Sequence, residues 1–187
     1  MISAFIVKAG LEMLWQTLSQ ILGERVSPEL AEKVKSIVAE DDCALGVYDL
    51  ILSSYGPERR VGSVHVEVPD TTSAEEIDEL SRRVAERVFA RTDGQVILAA
   101  VGIYSRNTCK DVADMRERVR RIVTAHDHVL QFHGFHVDEA RHLLEFDVII
   151  AFEAPDRQGE YQQIVHEVEE AFPDYTVRAT LDSDITD

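Results

Sequence analysis

The stretch Ala44-Leu45-Gly46-Val47-Tyr48-Asp49-Leu50-Ile51-Leu52-Ser53-Ser54, followed by Tyr55-Gly56-Pro57-Glu58-Arg59 and then Arg60-Val61-Gly62-Ser63-Val64-His65-Val66-Glu67-Val68, decides the fold. Two apolar runs, 44–54 and 61–68, flank a segment rich in turn-forming residues, so the spacing predicts a β-hairpin. In the second run Val64, Val66 and Val68 alternate with Ser63, His65 and Glu67. One face of that strand is therefore apolar and the other polar.

Working outward, Ser27-Pro28-Glu29 opens a helix upstream of the hairpin. Ser serves as N-cap, Pro sits at the first helical position and an acid lies in the first turn. Leu30, Val34, Ile37 and Val38 fall on one face of it. Downstream, Ser73-Ala74-Glu75-Glu76 has the form of a capping box and starts a helix with the stripe Ile77, Leu80, Val84 and Val88. Asp93-Gly94 ends that helix and Gln95–Tyr104 reads as a third strand. The order is helix, strand, strand, helix, strand.

After Ser105-Arg106-Asn107-Thr108 the order starts again. A helix carries Val112, Met115, Val119, Ile122 and Val123; strands follow at 129–137 and 143–152, then a helix with Tyr161, Ile164, Val165, Val168 and Phe172, then a strand at 175–181. Residues 44–50 align with 129–135 at an offset of 85, and Val64–Asp70 with Ile150–Asp156 at an offset of 86. An internal duplication accounts for both. The expected fold is α+β: two tandem ferredoxin-like α-β-β-α-β domains preceded by an N-terminal amphipathic helix. The division is 1–26 for that helix and its linker, 27–105 for the first domain and 106–187 for the second. Each sheet has helices on one face only. The bare faces are expected to be covered by a second copy, or to pack on each other within one chain.

The chain has 187 residues, 45% hydrophobic and 29% charged, which suits folded domains. A net charge of −16 speaks against nucleic acid, whose phosphates require clustered Lys and Arg, and against an anionic membrane surface. Cys43 and Cys109 lack metal-site spacing and are expected as free thiols. Residues 1–22 are apolar but interrupted by Lys8, Glu12, Gln16 and Gln20, too broken for a complete membrane span. There is no phosphate loop, nucleophile elbow or HExxH motif, so no enzyme is expected.

Leu45-Gly46-Val47-Tyr48-Asp49-Leu50, Tyr55-Gly56-Pro57 and Val64-His65-Val66-Glu67-Val68, in that order, resemble the cytoplasmic C-terminal domain of cation diffusion facilitators. Leu22-Gly23-Glu24-Arg25 is similar to the linker that follows the last transmembrane helix of that family, and 2–22 to the cytosolic end of that helix. Leu144–Ile150 looks like part of a second, C-terminal copy. The resemblance implies the dimerisation and regulatory region of a proton-coupled efflux transporter for zinc or a similar divalent metal. It would lie on the cytoplasmic side of the cell membrane, as a homodimer joined to the membrane part of the same transporter. Two rival readings are a free-standing soluble metal-binding protein and a ferredoxin-like ligand-binding module unrelated to transport.

The family's cytoplasmic zinc is held by His on the first strand, His on the second, His on the second helix and a His/Asp pair on the last strand. Here Tyr48 stands at the first of these, His65 at the second, Asp78 near the third, and Ala99 and Val101 at the last. The candidate ligands are therefore His65 and Asp78, with His133 at the position in the second copy that corresponds to Tyr48. They imply zinc or another divalent transition metal, weakly bound, with the site completed by a second subunit. The alternative for His65 is a polar residue on the open sheet face. His126, His128, His133, His136 and His142 crowd one stretch, but strand alternation splits them between faces.

Overall fold

The structure is a computed structural model that describes residues 2–22, 26–56 and 59–182. The expected linker at Gly23-Glu24-Arg25, the Pro57-Glu58 part of the hairpin turn and the last five residues lie outside the described residues. The order is α1 (Ile2–Leu22), α2 (Pro28–Ala39), β1 (Gly46–Ser54), β2 (Arg60–Pro69), α3 (Ala74–Arg91) and β3 (Val96–Arg106). It continues with α4 (Lys110–Val123), β4 (Val129–Asp138), β5 (Leu143–Ile150), α5 (Arg157–Ala171) and β6 (Thr176–Asp182). The chain is α+β, with α1 followed by two α-β-β-α-β units.

Local chemistry starts α2 and α3 where the sequence indicates, and α5 has a cap of the same kind. The Ser27 hydroxyl accepts the Leu30 N–H at the head of α2. Ser73 and Glu76 exchange hydrogen bonds in a complete capping box at the head of α3. The Asp156 carboxylate accepts the Gly159 N–H at the start of α5. Each unit folds into a three-stranded sheet, β1-β2-β3 and β4-β5-β6, with the first pair antiparallel and the second parallel. The helical face of the first sheet buries Val64, Val66 and Val68 against Val34, Ile37, Leu80 and Val84. The second buries Leu144, Phe146, Val148 and Ile150 against Val119, Ile164 and Val168.

Strand pairing fixes how the two units correspond. Tyr48 lies opposite His65, and His133 opposite Asp147. Both first strands then break register, between Tyr48 and Ile51 and between His133 and His136. At each break a residue takes left-handed backbone, Asp49 at φ 50° and Gly134 at φ 62°. The offset of 85 holds for the first strands, but the second strands correspond at 82 rather than 86, since Val66 pairs with Val47 and Val148 with Phe132. The likeness of Val-His-Val-Glu-Val to Ile-Ala-Phe-Glu-Ala is local. The second hairpin is shorter, and only cross-strand pairing reveals this. On the last strands Tyr104 faces Glu67 and Asp182 faces Ile149, so Tyr104 and Asp182 are equivalent.

The open faces of the two sheets meet along one end. Glu67, 1% exposed, is buried there between Arg106 of its own unit and Arg116 of α4. The far end of the first sheet face stays open, with Ala99 and Ala100 exposed. The open sheet faces are thus partly covered within one chain, the second of the two arrangements expected for them. Outside this body, α1 exposes Phe5, Ile6, Val7, Leu11, Met13, Leu14 and Trp15. Among the described residues no helix is long and apolar enough to cross a membrane.

Candidate metal centre

The seam between the sheets gathers ionisable side chains from both units. The centre of the cluster is Asp49. Its left-handed backbone lets its carboxylate and the Tyr48 ring, neighbours in sequence, both reach the seam. Strict alternation would have sent them to opposite faces. Asp49 Oδ1 lies 3.0 Å from His133 Nε2, and Oδ2 lies 3.0 Å from His65 Nδ1. Tyr104 donates its hydroxyl hydrogen to Asp49 Oδ2 at 2.7 Å. From β6, Asp182 Oδ2 comes within 3.6 Å of His133 Nε2, and Asp147 Oδ2 from β5 within 4.0 Å.

His133 is 0% exposed and stacks on Tyr48 at 5.0 Å with only 11° between the rings. His65 stacks on Tyr104 at 4.7 Å. Although carboxylates surround it, neither ring nitrogen of His133 has an aligned hydrogen-bond partner. The 3.0 Å approach to Asp49 is therefore a close ionic contact, short of a formed hydrogen bond. A buried imidazole without such a partner is costly unless something else takes up its lone pair or proton.

Two glycines make room for the donors. A Cβ on Gly102 would lie 2.1 Å from the His65 ring, and one on Gly134 would lie 2.3 Å from Asp147 Oδ2. Beside the cluster, a cleft of about 330 Å³ runs along the seam past Tyr104, Gly134, His136, Asp147, Arg178 and Thr180.

The electrostatics follow from this crowding. Burial pushes the Asp49 carboxyl up, but His133, Tyr104 and His65 outweigh it and hold the group at about 2. Burial opposes the charged form of His133, yet Asp49, Asp147 and Asp182 together raise its pKa. Asp147 is raised by burial and by the charges of Asp49 and Asp182, against Thr180 and His133. Burial and Asp49 also raise Tyr104, which stays a neutral donor. Three carboxylates thus share a small volume with two imidazoles, an excess of negative charge that a cation would offset.

Donor atoms of Asp49, His133 and Asp182 all lie within 4.8 Å of one another, close enough for one metal ion to reach all three. The set is imidazole and carboxylate without thiolate; Cys43 is partly buried and Cys109 exposed, both as free thiols. Such donors suit borderline and harder divalent ions rather than soft ones.

Of the three residues expected from sequence as ligands, the fold brings His65 and His133 onto the two oxygens of one carboxylate. Asp78 is elsewhere, exposed on α3 and paired with Arg82 at 2.9 Å. On the last strand of the first unit His65 pairs with Gly102, and Tyr104, two residues on, is the side chain that reaches the seam. The other histidines are scattered. His126 contacts Glu167 at 3.2 Å, His128 contacts Glu160 at 2.9 Å, His142 lies beside Tyr175, and His136 is exposed. Asp147 and Asp182 were not singled out in the sequence because acids are abundant in it. Their signal is the strand register, which places each at a position equivalent to a residue of the first cluster half.

No protein-family model and no curated protein matches the sequence. Among solved structures the chain is similar to MamM V260R, at 11% identity and a TM-score of 0.35, over 42% of this chain and 93% of that one. A likeness this slight decides nothing about the activity of the present protein.

Proposed function

We propose that this chain is the cytoplasmic regulatory and assembly region of a divalent-metal efflux transporter, and that it binds a divalent transition cation, zinc among the candidates, at the seam. The observation that carries the reading is the Asp49–His133–Asp182 group, with a fully buried imidazole that has no aligned hydrogen-bond partner. The ordered motifs at 45–50, 55–57 and 64–68 supply the link to transport. Its role is binding rather than catalysis, with proton-coupled export residing in the membrane part of the same transporter. The exposed apolar side chains of α1 suit a position against that membrane part, where a homodimer would assemble.

Equilibrium dialysis against Zn²⁺, Mn²⁺, Co²⁺ and Ni²⁺ tests the cation reading. The wild-type chain should retain at least one of them, and His133→Gln should bind it about tenfold to a hundredfold more weakly or not at all. Indifference to all four ions would remove the metal role. The transport link is tested separately, by reading the coding frame upstream. Hydrophobic spans of about 20 residues support it, and another soluble domain there would refute it.

A further inference from the structure

We infer that one chain completes the cation site by itself, so that the ion clamps the first repeat to the second and needs no donor from another copy. The inference rests on the cation-binding reading above and names the architecture of that same site.

The cluster is built from equivalent positions of the two repeats. Cross-strand pairing equates Tyr48 with His133, His65 with Asp147 and Tyr104 with Asp182. All six side chains meet at the seam. The seam therefore has the layout of a two-fold interface, closed inside one polypeptide by the short connection from β3 to α4. Two copies of an undivided domain would place identical residues there. Here the halves have diverged. At two of the three positions the first repeat offers an aromatic ring, Tyr48 or Tyr104, while the second offers a ligand, His133 or Asp182. At the left-handed position the roles reverse, with Asp49 in the first repeat and Gly134 in the second.

The division of labour makes the halves interdependent. The three donors within reach of one ion are Asp49 from the first repeat and His133 and Asp182 from the second. His133 is completely covered, with Tyr48 of the other repeat stacked upon it. A second chain has no open path to that imidazole unless the repeats separate. Glu67 and Arg116 hold the same seam a short distance away, which keeps the halves in register without an ion.

A complementation experiment tests this directly. Asp49→Asn and His133→Gln chains are prepared separately, and Asn suits the left-handed backbone at 49. Each is titrated with Zn²⁺, or with whichever of the four ions the wild type retains. The two are then unfolded together, refolded as an equal mixture and titrated again. Asp182→Asn replaces His133→Gln if circular dichroism shows the latter misfolded. If the site lies within one chain, every chain in the mixture lacks a donor, and the mixture binds no better than either variant alone. If the site forms between copies, half of the dimers hold one intact site each, and about a quarter of wild-type capacity returns. That recovery overturns the inference while leaving cation binding in place. Failure of the wild-type chain to bind any of the four ions overturns the cation-binding reading itself, and the inference with it.

Discussion

Asp182→Asn separates a ligand from a structural charge. In the ion-free chain the Asp182 carboxylate is 3.6 Å from His133 Nε2 and within 4.8 Å of an Asp49 oxygen. With an effective dielectric near 20, the attraction to a protonated His133 is about 4–5 kcal/mol and the repulsion from Asp49 about 3–4 kcal/mol. Asp147, in the same cluster, adds further repulsion. The attraction and the repulsion are of similar size, so through these charges alone the ion-free variant should lie within about 1 kcal/mol of wild type, a change in Tm of about 2–4 °C for a chain of this size. With an ion at about a hundred times its Kd, binding stabilises the wild type by about 2.7 kcal/mol. That corresponds to a rise in Tm of about 5–10 °C. The variant should lose most of the rise. The assay is thermal unfolding of both chains with and without Zn²⁺. An equal Zn²⁺-induced rise in both would show that Asp182 is not a ligand. A loss of more than about 3 kcal/mol without the ion would show that its charge is structural.

Three further changes probe the frame around the site. Gly134→Ala should cost about 1–2 kcal/mol through its left-handed backbone, and more as its Cβ displaces Asp147; chemical denaturation measures the loss. Glu67→Gln should cost about 3–5 kcal/mol by leaving Arg106 and Arg116 without their buried counter-charge, and should split one unfolding transition into two as the repeats uncouple. Calorimetry with an unchanged single transition would contradict that. Asp41, 5% exposed, is a pH-dependent anchor: burial opposes its charge, but Arg83, the Cys43 N–H and Arg87 outweigh this and lower its pKa. A lowered folded pKa means that its stabilisation is present above the unfolded value of about 3.9 and is lost as pH falls through the folded one. Asp41→Asn should therefore cost about 1–3 kcal/mol at pH 7, and the gap from wild type should close below about pH 4.

The architecture was legible because each element announces its own start and face. Ser27-Pro28, the Ser73–Glu76 box and the alternation of Val64, Val66 and Val68 all depend on near neighbours, and the structure uses each as expected. The site was only half legible. His65 and His133 stand out as imidazoles at strand positions, but Asp49 reaches the seam through a left-handed residue that simple alternation cannot foresee. Asp147 and Asp182 depend on a register set by the shortened second hairpin. Asp78 was placed by analogy along a helix, where Arg82 one turn on supplies its partner. Nothing local in the sequence shows that the repeats face each other, since contacts such as Glu67 with Arg116 and Asp49 with His133 join residues of two domains.

X-ray absorption at the zinc edge of the Zn²⁺-loaded chain tests the central claim most directly. The account predicts a shell of nitrogen and oxygen at about 2.0–2.2 Å, no sulfur, and an imidazole scattering signal that falls in His133→Gln. A sulfur shell, or an imidazole signal unchanged in that variant, would place the ion elsewhere and contradict the account.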